Sequence, residues 1–229
     1  MRLLPAALVL ALARTAEARE PAEPMQTDLV RGLGPHAGEL EANVLATTPI
    51  AGREHGVHWA PEIEWAPARN VAIELELPLH DAHLEAVKLS AQLTLHRGRR
   101  IAHGMQGVAS LPLVADPSFR LLHVMQASLG RRASVVTMLG PKLAVPTSDR
   151  APHFGVLAMA AVFAELPRRN AIGIEASWSG YGREGQLDVL PQLHVELGRH
   201  AKLQLGVGAR RSTALGWGAF VGARVIVQR

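Results

Sequence analysis

The chain has 229 residues, with 24 Lys and Arg against 20 Asp and Glu for a net charge of +4, and no cysteine. That length suits a single all-β domain; the missing cysteine excludes disulfides and thiol chemistry. The arginines are scattered and aromatics make up only 4% of the chain, which excludes a nucleic-acid patch and leaves anionic lipid headgroups or lipopolysaccharide as the natural partner for exposed arginine.

The amino terminus reads as an export signal. Arg2 supplies a positive start, Leu3 to Ala13 form a short apolar run, and Ala16-Glu17-Ala18 fits a small-residue cleavage site, so residues 1–18 are expected to be removed. The apolar run is too short to cross a bilayer as a helix, and no later stretch approaches the ~18 uninterrupted apolar residues of a spanning helix. Residues 19–37 are polar, with Pro and Gly, and are expected to form a loose leader.

The domain proper, residues 38–229, divides into about twelve β-segments at short turn signals such as Ala66-Pro67-Ala68, Arg97-Gly98-Arg99 and Pro167-Arg168-Arg169. The clearest run is from Val57 to His96. Val57, Trp59, Ile63 and Trp65 alternate with His58, Glu62 and Glu64. Val71, Ile73, Leu75 and Leu77 alternate with Glu74 and Glu76, then Val87, Leu89, Leu93 and Leu95 with Lys88, Ser90, Gln92 and Thr94. A period of two marks strands with unlike faces. Here the polar face is charged, as in a membrane barrel with a wet interior. Gly155 to Ala164 is instead apolar on both faces, which fits either a close contact inside the barrel or a strand covered by an inner segment; a helix is the alternative. The alternation resumes from Gln186 to Gln228. There Gly206, Gly208, Gly216 and Gly218 lie inside strand patterns and are expected to relieve crowding in the wall.

The densest polar feature is the carboxylate set Glu62, Glu64, Glu74 and Glu76. A tight turn near Pro67-Ala68 would place Glu64 beside Glu74 and Glu62 beside Glu76, so cations must interleave. Lys88, Arg120 and Arg210 are expected to complete a lumen charge network; Lys202 and Arg224 are further candidates. Such a network either selects a solute or fills a narrow barrel. A glycosidase-like carboxylate pair, a Gly-x-Ser-x-Gly nucleophile and a phosphate-binding loop find no support, so no enzyme and no cofactor are expected. His80-Asp81-Ala82-His83-Leu84-Glu85 clusters ligand types at a predicted turn, but without zinc spacing, so no metal site is assigned. Trp59 and Trp65, about 20 Å apart along one strand, with Trp178 and Trp217, are the expected membrane-interface aromatics.

Pro61-Glu62-Ile63-Glu64-Trp65 and Asn70-Val71-Ala72-Ile73-Glu74-Leu75-Glu76-Leu77-Pro78 resemble a group of Gram-negative outer-membrane barrels described as transporters of the phenol-degradation MetA-pathway type. The resemblance covers about 40 residues well. It implies an outer-membrane protein with a transport role and names no substrate. The sequence reading is therefore a single antiparallel up-and-down transmembrane β-barrel of about twelve strands, passing or binding a small solute. A soluble periplasmic β-sandwich or barrel that binds a ligand or partner protein is the alternative.

Overall fold

The computed structural model describes residues 22–27, 29–147 and 151–229; the signal segment lies outside them. The strands are β1 (Leu40–Ala51), β2 (His58–Ala68), β3 (Val71–Glu76), β4 (Leu79–His80), β5 (His83–Leu84), β6 (Ala86–Arg97), β7 (Ile101–Pro112), β8 (Ser118–Ser128), β9 (Ala133–Ala144), β10 (His153–Glu165), β11 (Ala171–Tyr181), β12 (Glu184–Glu196), β13 (Ala201–Ser212) and β14 (Gly216–Gln228). Neighbours pair antiparallel in chain order, and β1 pairs with both β14 and β2, so the sheet closes. Twelve of these strands form the wall, and β4 with β5 makes a small hairpin on the edge of β2. Closure leaves the twelve described wall strands without a free edge.

Gly155 to Ala164 lies in β10 and is a strand, paired to β9 and β11 along its length. The aliphatic residues of the wall alternate as a barrel requires. Ile63, Leu95, Leu121, Leu139, Ile174, Val207 and Val225 all point outward, each 45–59% exposed. Outward side chains of this kind recur on every long strand, a belt far larger than the apolar patches of water-soluble monomers. The exposed-face aromatics Trp59, Trp178, Trp217, Phe119 and Phe154 gather at the end where β1 and β2 connect, whereas Trp65 sits toward the opposite end.

That opposite end holds the barrel termini and turns of at most five residues. Each of its five connections, β2–β3, β6–β7, β8–β9, β10–β11 and β12–β13, carries arginine: Arg69, Arg99 and Arg100, Arg131 and Arg132, Arg168 and Arg169, and Arg199, all exposed. In the β2–β3 turn Asn70 takes φ 65°, a left-handed conformation that asparagine tolerates.

The leader is not loose. It runs from the turn end into the lumen, and Met25, Leu29, Val30 and Leu33 are at most 2% exposed. Leu29 and Leu33 pack on Leu122, Val124, Val136, Met138, Leu157, Met159, Ala161 and Phe163, the inward face of β8, β9 and β10. That is why β10 is apolar on both sides: one face meets the exterior, the other meets the leader. Burial of each such side chain contributes about 2 kcal/mol.

Candidate functional site

The interior has two unlike walls. Opposite the apolar wall of β8 to β10, strands β1, β2, β3, β6 and β14 present Glu41, Asn43, Glu62, Glu64, Glu74, Glu76, Lys88, Gln92 and Arg224 inward. The β2–β3 register sets Glu62 opposite Glu76 and Glu64 opposite Glu74. Directly opposed like charges are destabilising, and each carboxylate has a donor nearby. Lys88, opposite Glu76 on β6, binds both of its oxygens at 2.9 Å. The Ser90 hydroxyl donates to Glu74 at 3.0 Å.

Arg224 on β14 is the central cation. Its guanidinium contacts Glu62, approaches Glu64 at 3.6 Å, and donates to Asn43 Oδ1 at 2.9 Å and to the Pro24 carbonyl of the leader at 3.4 Å. Asn43 in turn donates to Glu64 at 3.0 Å. The planar fork of arginine suits this many acceptors in fixed positions. Of the groups expected to line the lumen, Glu62, Glu64, Glu74, Glu76 and Lys88 are brought together. Arg210 is not among them: near the aromatic end it bridges Asp188 at 2.8 Å and Glu54 at 2.9 Å. Arg120 lies on β8, opposite Lys142 of β9 and away from the glutamates.

Sequence reasoning missed the residues that hold the leader. Glu175 on β11 accepts from the backbone N–H of Met25 and Thr27, each at 2.9 Å, and of Gln26 at 3.1 Å. Gln26 also donates to Asp188 at 2.9 Å. Lower in the barrel Gln126 accepts from Leu33 N–H at 2.9 Å, and Thr94 from Gly34 N–H at 2.8 Å. Gln92 donates to the Arg31 carbonyl at 2.9 Å, and Arg97 to that of Gly34 at 2.7 Å. A buried irregular segment must have its backbone groups satisfied, and lumen glutamines and carboxylates do this. The visible signal was the leader's own Leu29-Val30 and Leu33, too apolar for a wholly solvated linker.

Gly206 and Gly222, opposite one another on β13 and β14, make the seat for the leader tip. A Cβ at Gly222 would lie 2.5 Å from the Met25 methyl, and one at Gly206 would lie 3.2 Å from it. Met25 packs there with Leu190 and Phe220. The arrangement is a lumen lined with charge and stoppered by its own chain.

No family model matches the chain, and no curated protein matches it. Among solved structures it is similar to the KdgM porin, at 10% identity and a TM-score of 0.63 over 80% of this chain and 97% of that one. It is also similar to an outer membrane channel from Pseudomonas putida F1, at 11% identity and a TM-score of 0.62 over 91% and 100%. A bacterial polysaccharide outer membrane secretin matches at 8% identity and 0.51 over 83% and 98%. At these identities the likeness is one of fold: the closed antiparallel twelve-stranded barrel.

Proposed function

We propose that this protein is an outer-membrane channel for a small polar solute whose lumen is closed at rest by the leader, of which residues 22–27 and 29–34 are described. The single observation that carries the reading is the leader seated in a charge-lined closed barrel, held by apolar packing of Met25, Leu29 and Leu33 and by hydrogen bonds that a rearrangement can exchange for water. Porin and outer-membrane-channel folds among the structural neighbours support it. The belt of exposed aliphatic residues favours a bilayer over the periplasmic alternative, since hydrocarbon is the solvent that welcomes it. The MetA-pathway resemblance of β2 and β3 agrees with a transport role and adds no substrate.

Orientation follows from the two ends. Outer-membrane barrels keep their longer loops outside; the longer connections 52–57 and 145–152 and the β4–β5 hairpin lie at the aromatic end, which favours the arginine turns at the inner leaflet and the aromatic cluster at the outer one. Anionic headgroups are the partner that the arginines favour. Planar-bilayer recording tests the function. Full-length protein should show rare, brief openings, and Glu64→Gln with Glu74→Gln should lower cation preference in the open state. A protein silent both with its leader and after removal of residues 22–34 would overturn the channel.

A further inference from the structure

At the rim opposite the arginine turns, three metal-ligating side chains from separate elements converge. His58 opens β2, His80 closes β4 and Glu85 follows β5. The β2–β4 register pairs His58 with His80, so their rings share one face, and they stack at 4.5 Å with 14° between planes. One ligand atom from each of the three residues lies within 4.8 Å of the other two.

The orientation of His80 is the informative detail. Its Nε2 lies 3.0 Å from the His55 carbonyl oxygen, and against a carbonyl the ring nitrogen must donate. The other ring nitrogen, Nδ1, faces Glu85 Oε1 at 3.7 Å. The separation is too long for a hydrogen bond. It lies close to the ligand–ligand edge, roughly 3.3–3.4 Å, of a tetrahedron with metal bonds of about 2.0–2.1 Å. A histidine whose second nitrogen is held by a backbone carbonyl is the arrangement that orients metal ligands. Gly56, with φ +84°, lets the β1–β2 loop close over the ring, since any Cβ there would collide with His80 Nε2.

We propose that His58, His80 and Glu85 form a site for a divalent transition-metal ion of the zinc class at the mouth of the barrel. Two imidazoles and one carboxylate suit that class, whereas calcium and magnesium prefer oxygen alone. Three protein ligands leave a fourth position for water or a ligand from solution. The ion ties β2 to the β4–β5 hairpin and, through His55, to the β1–β2 loop. The site needs only the rim and is independent of whether anything passes through the lumen.

Zinc titrated by calorimetry into the full chain, solubilised in detergent and carrying no histidine tag, tests this. One equivalent should bind in the micromolar range or tighter. His58→Ala, His80→Ala and Glu85→Gln should each weaken binding at least about ten-fold. His123→Ala, in the separate histidine group with His96 and His103, should leave it unchanged. Cobalt in place of zinc should give a visible ligand-field band that His80→Ala abolishes, with heat-modifiable gel mobility checking that each variant folds. Absence of stoichiometric zinc, binding that survives all three substitutions, or binding lost only in His123→Ala overturns the site.

Discussion

The backbone amide and the hydroxyl of Thr27 both donate to the same carboxylate oxygen of Glu175, 148 residues further along the chain. The other oxygen accepts from Met25 and Gln26. One side chain of the wall thus caps three consecutive leader residues. Hydrogen bonds to an ionised acceptor are worth about 1.5–3 kcal/mol each. Glu175→Gln keeps the shape but turns one acceptor oxygen into a donor. Its expected effect is about 2 kcal/mol on leader docking, or roughly thirty-fold more openings in single-channel records.

A steric substitution reaches the same equilibrium from the opposite wall. Gly222→Val places atoms where the Met25 methyl sits, and the tip of the leader must leave. Because the chain has no cysteine of its own, a single Met25→Cys reports this cleanly. Maleimide labelling should be slow in the otherwise native protein, where Met25 is 1% exposed. It should quicken at least about ten-fold, some 1.4 kcal/mol of docking, when Gly222→Val is added.

Arg224 is expected to dominate the stability of the acidic wall. Its removal leaves Glu62 and Glu64 facing Glu76 and Glu74 with their shared cation gone. Breaking a buried ion pair from one side costs about 3–5 kcal/mol. Arg224→Ala should therefore lower the urea midpoint of the folded barrel sharply, while Arg224→Ala with Glu62→Gln and Glu64→Gln should recover part of the loss. Equal midpoints for the single and triple variants would argue against the coupling.

The arginine turns are expected to act on lipid rather than on the fold. Replacing Arg131, Arg132, Arg168 and Arg169 by Gln should leave heat-modifiable mobility intact, since all four are exposed. Affinity for vesicles containing phosphatidylglycerol should fall by about 1 kcal/mol per arginine, and the difference should shrink in high salt. Flotation of the detergent-depleted protein with anionic and neutral vesicles measures it.

Much of this molecule is readable residue by residue. The two-residue period of Val71 to Glu76 states which side chains face out and which face in, and turn chemistry at Arg97-Gly98-Arg99 or Pro167-Arg168-Arg169 marks where strands reverse. These are local properties, so the strand count and the acidic face followed from the sequence. Partnership across the lumen is not local. Arg224 reaches Glu62 because the last strand pairs with β1, which pairs with β2; Arg210, with the same parity and charge, finds Asp188 and Glu54 instead. Height along the barrel separates them, and closure decides it. The leader and the rim histidines depend on the same cause: Thr27 meets Glu175, and His58 meets His80, only when distant segments are brought to one place. The sequence by itself determined the two faces of the wall, because side-chain alternation is a property of each strand alone. The tertiary structure alone decided what fills the interior, because that depends on how the wall closes and on the path of a segment whose backbone must find its hydrogen-bond partners inside.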